Sequence, residues 1–285
     1  MSRKRNSLML AYYPIMFFKG IKSFFWRFEG HQLRVLLYHD IPPHLEGSFF
    51  KQLIWMKKKW KFITPLEFVE IIERGKPLVE NSLLLTFDDG FGSNYEVAKR
   101  VLHKLKIKAI FFIVPNYMNL ARSDDWRKYI SENIYPGISE IKIPRQWQNM
   151  ELHQVKDLIE MGHLIGSHTL SHARLSEISD HQQLTNEIVL SGIELGNLLD
   201  YEVNHFAYTF GDLNSFSPEA YRLARIAYSF VYTGLGGDNS QEKNSKLILR
   251  DVIFPEDSLL LIGAILEGGS DWYFSKKISK LKSWI

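Results

Sequence analysis

Leu83-Leu84-Leu85-Thr86-Phe87-Asp88-Asp89-Gly90 is the stretch on which the reading of this chain turns. A short apolar run of this kind reads as a buried strand, and it stops abruptly at two carboxylates and a glycine. In parallel α/β folds the C-terminal strand ends converge on the active site. Adjacent carboxylates there repel each other unless a cation or a shared proton intervenes, so the pair points to chemistry. A structural alternative stands beside it: an aspartate capping the next helix, with Gly90 supplying a positive φ.

Working outward, the same kind of run recurs at Leu33–Tyr38, Ala109–Val114, Leu164–Ser167, Phe206–Tyr208 and Phe230–Thr233. Between these strands lie segments with helix-period apolar residues: Phe49–Lys59, Pro65–Arg74, Tyr95–Leu105, Leu152–Met161, Asp180–Leu199 and Pro218–Ala227. Gly162 sits where a helix would end. Strand–helix alternation predicts parallel strands wrapped by helices, in an α/β sheet or barrel. The connection Tyr117–Met150 shows no strong pattern beyond a short helix around Trp126–Ile130. Leaving a strand end, it is expected to face substrate.

A second constellation follows another predicted strand. In Gly166-Ser167-His168-Thr169-Leu170-Ser171-His172 the two histidines are four apart, and on a helical turn they would share a face and reach one ion. With one aspartate oxygen they make a two-histidine, one-carboxylate set with open positions for water and substrate. A histidine pair alone is weak. Two such signals at two strand ends favour a metal site over coincidence.

Composition narrows the class. With 285 residues, 45% hydrophobic and 24% charged, the chain can bury one large α/β core. It has no cysteine, so any metal must rest on His, Asp and Glu. Residues 1–34 carry seven Lys/Arg against one acid, whereas the remainder holds 28 basic and 31 acidic residues. The slightly acidic body argues against nucleic-acid binding. The N-terminal segment also carries eight aromatics, from Tyr12 to Phe28, a mixture suited to a membrane interface. Its uncharged run Leu8–Phe18 is too short to span a bilayer, which needs about 20 residues. A packing helix and a cleaved signal are the other readings of residues 1–30.

Taken together these stretches resemble the metal-dependent polysaccharide deacetylases, also called carbohydrate esterase family four. Thr86-Phe87-Asp88-Asp89-Gly90 is similar to that family's first motif. Gly162-His163-Leu164-Ile165-Gly166-Ser167-His168 with His172 is similar to its second, and Phe206-Ala207-Tyr208-Thr209-Phe210-Gly211-Asp212 to its third. Leu36-Leu37-Tyr38-His39-Asp40 resembles the first strand of the surface-polysaccharide branch. The resemblance runs from about Leu33 to Trp272. It implies a distorted (β/α) barrel, with Asp88 as general base and Asp89, His168 and His172 holding a divalent transition metal, zinc foremost. It also implies the backbone N–H of Phe210 as an oxyanion donor.

Departures carry their own expectations. Thr209 stands where the family usually has proline, which is expected to loosen the turn presenting the oxyanion donor. The arginine that orients the base in the peptidoglycan and chitin branches is missing from this stretch. Where those branches supply a histidine acid, this chain reads Leu247-Ile248-Leu249-Arg250-Asp251. Arg250 keeps its proton at neutral pH and is expected either to bind an acidic substrate or to orient Asp88. The general acid is left among His39, His205 and water on the ion. Asp124-Asp125-Trp126 and Asp271-Trp272 read as solvated loop acids.

The expectation is a basic, aromatic segment 1–32 followed by one catalytic domain, 33–285. The activity would be removal of an N-acetyl or other N-acyl group from a sugar in a surface glycan or its precursor. O-deacetylation or deformylation in the same site is the first rival, and a catalytically weak glycan-binding or scaffold protein the second. The expected place is the cytoplasm, at the membrane surface or free of it, with an extracytoplasmic setting as the other option.

Overall fold

The computed structural model describes residues 30–120, 125–240 and 246–284, so the basic, aromatic segment lies almost wholly outside it. Nine strands form one sheet: β1 (Leu33–Tyr38), β2 (Lys61–Phe62), β3 (Ser82–Phe87), β4 (Ala109–Ile113), β5 (Leu164–Ser167), β6 (His205–Ala207), β7 (Phe230–Tyr232), β8 (Leu247–Ile248) and β9 (Asp251–Val252). Every pairing is parallel, in the order β8-β7-β6-β5-β4-β3-β1-β9, with β2 against the start of β3. The longer helices are α1 (Glu46–Met56), α2 (Pro65–Arg74), α3 (92–105), α4 (Leu152–Glu160), α5 (181–199), α6 (Pro218–Ala227), α7 (Leu259–Leu266) and α8 (Asp271–Lys282). This is the expected distorted (β/α) barrel.

Local chemistry explains the boundaries. In α2 the Thr64 hydroxyl accepts from the Glu67 N–H while the Glu67 carboxylate accepts from the Thr64 N–H, Pro65 opens the first turn, and Gly75 ends it at φ 66°. Strand side chains alternate between two cores. Val35, Leu84, Ile110, Phe112, Tyr232 and Ile248 fill one cluster, and Phe68 of α2 packs against the ring of Phe230 at the start of β7. Leu36, Leu83, Leu85, Phe87 and Phe111 join the other, with Phe49, Leu53, Leu102 and Leu158 of the helices.

The two edge strands of the order, β8 and β9, are separated in sequence only by Leu249-Arg250. That dipeptide therefore crosses the seam of the barrel. Strands β2, β8 and β9 have two residues each, below any periodic signal, and α7 and α8 were not anticipated. The described residues of the connection Tyr117–Met150 carry more structure than its sequence suggests. They hold a helix at Asp125–Tyr129, a wider turn at Ile130–Ile134, and a small core of Phe91, Tyr117, Trp126, Ile130, Ile134 and Ile143.

Candidate metal centre

The carboxylates leave β3 where the chain turns sharply. The Asp88 N–H still donates to the Tyr38 carbonyl at 3.0 Å, extending the β1–β3 ladder by one bond. Asp89 and Gly90 then adopt φ 74° and 76°. The N-cap of α3 is Phe91, with no side-chain cap, so neither aspartate serves as the helix cap that was the alternative reading. Gly90 does supply the positive φ.

Both carboxylates are buried, and each has its own partner. Arg250, itself without exposed surface, grips Asp88 with two parallel bonds, Nη1 to Oδ1 at 2.6 Å and Nη2 to Oδ2 at 2.8 Å. Its Nε donates to the Thr233 carbonyl at 2.7 Å, and its guanidinium lies over Phe112 and Tyr232. Of the two expectations for Arg250, this geometry matches the orienting one; the side chain is sealed beneath Asp88 and has no surface for a substrate acid. Burial raises the Asp88 pKa, but Arg250 and His168 outweigh it and hold the group below the usual carboxylate range.

Asp89 faces the histidines. Its Oδ1 lies 3.4 Å from His168 Nε2 and 3.4 Å from His172 Nε2. One correction concerns why the histidines meet. Residues 168–174 contain no helical turn; Thr169 and His172 take left-handed φ of 62° and 68° and fold the loop back on itself. The Thr169 hydroxyl accepts from the His172 N–H, while Glu187 takes the Ser171 N–H and hydroxyl.

Each imidazole is oriented from behind. His168 Nδ1 donates to the Ala207 carbonyl at 2.7 Å, and His172 Nδ1 to the Asn133 carbonyl at 2.9 Å. With the protons fixed on Nδ1, both Nε2 lone pairs point at Asp89, the arrangement that metal-ligating histidines use. One ligand atom from each of Asp89, His168 and His172 lies within 4.8 Å of the others. Two imidazole nitrogens and one carboxylate oxygen are a suitable donor set for a zinc-like ion. Burial lowers the His168 pKa, yet Asp88 and Asp89 more than reverse this and raise it. The cluster is thus tuned to hold positive charge, and a proton and a metal ion compete for the same lone pairs.

A cavity of about 420 Å³ opens over these groups. Asp88, Asp89, His168 and His172 share it with His39, Tyr135, Phe210, Tyr273 and Lys277. Phe210 and Gly211 both have positive φ, 62° and 65°, and for a residue with a bulky side chain that conformation costs on the order of 1–3 kcal/mol. Strain is concentrated here: Asp89, Thr169, His172 and Phe210 are four of the six non-glycine residues with positive φ among the described residues.

Several expectations need correction. Thr209 does not loosen its turn, because its buried hydroxyl donates to the Ala173 carbonyl at 2.5 Å. His205 lies outside the cavity, against Phe230 and hydrogen-bonded to the Tyr232 hydroxyl, with burial pulling its pKa down to about 3. That leaves His39 as the imidazole in the cavity without a place in the Asp89 cluster. Asp271 is not a solvated loop acid; it binds Arg34 through both oxygens.

The long connection does reach the site, through the Asn133 carbonyl and Tyr135, while Trp147 donates to Asp40 beside His39. The Asn133 contact involves only backbone oxygen, so no residue type announces it. Tyr273 and Lys277 could have been suspected only from the helical spacing of the C-terminal stretch.

Comparison with known proteins agrees with this geometry. The family model described as polysaccharide deacetylase matches residues 75–229, more than half of the chain. YxkH of Bacillus subtilis, whose name places it provisionally among polysaccharide deacetylases, is 24% identical over 242 residues, covering 83% of this chain and 76% of its own. Among solved structures, the Streptococcus pyogenes deacetylase PplD in complex with acetate has a TM-score of 0.65 at 20% identity, covering 84% of this chain and 99% of that one. IcaB from Ammonifex degensii gives 0.64 at 21% identity with the same coverage.

Proposed function

Because the chain belongs to the polysaccharide deacetylase family, we propose that it is a metal-dependent hydrolase that removes an N-acetyl or other N-acyl group from a sugar of a surface glycan or its precursor. The observation that carries this reading is the cluster of Asp89, His168 and His172, with both imidazoles oriented by backbone carbonyls and Asp88 separately held by Arg250.

A divalent transition ion, zinc foremost, held by Asp89, His168 and His172 would acidify a water molecule and polarise the acyl carbonyl. The remaining work falls to the chain itself. Asp88, kept ionised and aimed by Arg250, accepts the proton of the attacking water. The N–H of Phe210, on the strained turn at the cavity wall, meets the charge that develops on the carbonyl oxygen. His39, in the same cavity, hands a proton to the departing amine; an amide nitrogen leaves poorly without one. Tyr135 and the apolar side chains of Leu37, Leu235 and Val252 limit water around the reacting group.

Purified protein tests this reading by metal analysis together with acetate or formate release from N-acetylated, N-formylated and O-acetylated saccharides. Release from N-acetyl sugars is expected. Asp89→Ala should lose the metal and the activity, whereas Asp88→Asn should keep the metal and lose about 10²- to 10⁴-fold in kcat. Protein that binds no divalent ion and releases no acyl group from any of the sugars refutes it. The same reading extends to the location: residues 1–30 would hold the domain at an anionic membrane surface, and liposome binding that is unchanged by their deletion would refute that.

A further inference from the structure

We infer that Lys277, on the C-terminal helix, is a positioning residue that holds the Phe210–Gly211 turn in its working conformation. The inference rests on the deacetylase reading above and adds a component outside the matched family segment, which ends at residue 229.

Two consecutive left-handed residues, Phe210 and Gly211, do not hold their shape unaided. On the inner side the support is visible: Gly234 N–H donates to the Gly211 carbonyl at 2.8 Å, and the Tyr208 hydroxyl donates to the same oxygen at 3.2 Å. The two glycines meet so closely that a Cβ on Gly211 would fall 2.9 Å from Gly234 Cα. On the outer side the next residue, Asp212, is the fixed point. Its backbone carbonyl accepts from the Ser215 N–H and hydroxyl, and its Oδ1 accepts from the Leu213 N–H at 2.8 Å. The same Oδ1 accepts from Lys277 Nζ at 2.6 Å.

Lys277 is well placed to be such a fixed point. Leu281, one turn further along α8, is buried, and Phe274 and Ile278 pack on the same core as Tyr208 and Phe216. The start of α8 is tied to Arg34 through Asp271. A lysine lining the catalytic cavity could instead bind substrate directly, but this ammonium is already engaged by Asp212. The turn is thus clamped between Gly234, in the segment that follows β7, and α8, and displacing a catalytic donor by about 1 Å can cost about 10²-fold in rate.

The experiment compares Lys277→Met, Asp212→Ala, the double variant and Lys277→Arg in the metal-loaded full chain. Each of the first two should lower kcat for an N-acetylated sugar about two- to tenfold with KM within twofold, the scale of a partly exposed ion pair. The double variant should be no worse than either single, and Lys277→Arg should recover most of the rate. Amide hydrogen exchange at Leu213 and Ser215 should accelerate in both single variants, a readout that needs no turnover. A rise in KM with kcat unchanged in Lys277→Met overturns the inference in favour of direct substrate binding. Full activity in Asp212→Ala, which removes the shared acceptor, overturns it as well, even if Lys277→Met fails to fold. Wild-type protein inactive on every acylated sugar would instead refute the deacetylase reading, and unchanged exchange at the two amides would then refute the clamp separately.

Discussion

Replacing Arg250 by methionine should destabilise the fold far more than the loss of one surface charge would. Arg250 has no exposed surface and Asp88 is 2% exposed, so the pair is almost wholly removed from bulk solvent, with only Asp88 meeting the cavity. Methionine can fill part of the space between Phe112 and Tyr232 but offers no donor to Asp88. The carboxylate then either stays charged with only His168 beside it or takes up a proton, and both are unfavourable. Breaking a buried pair from one side costs about 3–5 kcal/mol. In a domain of this size each kcal/mol moves the melting temperature by about 2–4 °C, so a fall of about 10 °C is expected.

The measurement is a thermal melt of chelator-treated protein at neutral pH, which keeps any ion from substituting for the guanidinium. The companion variant, Arg250→Met with Asp88→Asn, removes the charge as well and should regain at least about 2 kcal/mol of the loss. A melt of Arg250→Met within about 2 °C of the wild type would refute the reasoning. So would a double variant no more stable than the single one, because the cost would then reside in packing or in the lost bond to Thr233.

Three further outcomes follow from other parts of the molecule. Burial holds His163 and His205 down to about 3 from an ordinary 6.5, so both stay neutral when folded but protonate when unfolded. Their contribution is full above pH 6.5 and drains away as pH falls towards 3, at about 1.4 kcal/mol per unit and per histidine. Between pH 7.5 and 5.5 the wild type should therefore lose about 3 kcal/mol more in urea unfolding than a His163→Gln, His205→Gln variant, and a variant with the wild-type pH dependence would contradict this. Gly234→Ala brings a Cβ 3.0 Å from both Gly211 Cα and its carbonyl oxygen, so kcat should fall at least tenfold with metal content unchanged; loss of metal instead would place the damage elsewhere. Thr209→Val leaves the Ala173 carbonyl without its 2.5 Å partner and should cost about 1–3 kcal/mol in urea unfolding, against no change if the hydroxyl is idle.

Much of the fold was legible because its central strands are strongly apolar and its helices amphipathic. Leu33–Tyr38, Leu164–Ser167, Pro65–Arg74 and Pro218–Ala227 end where their patterns end. The candidate ligands were legible because Asp89, His168 and His172 sit at strand termini, where the topology brings them together. The route by which they meet was not legible: a left-handed backbone at Thr169 and His172 has no signature in residue type, and a helical turn fits the same spacing. The orientation of His172 depends on the Asn133 carbonyl, 39 residues away, and any residue could have supplied that oxygen. Whether Arg250 met substrate or Asp88 depended on the curl of the sheet, which two-residue strands conceal. Thr209 was misread for a related reason, since its hydroxyl's value lies wholly in the distant Ala173.

The Leu249-Arg250 dipeptide does two jobs in one place. It is the covalent stitch that joins the two margins of the curled sheet, and it is the counter-charge of the proposed base. Any shift of the barrel at this stitch therefore reaches the carboxylate, and the shape of the whole scaffold is read out at one ion pair.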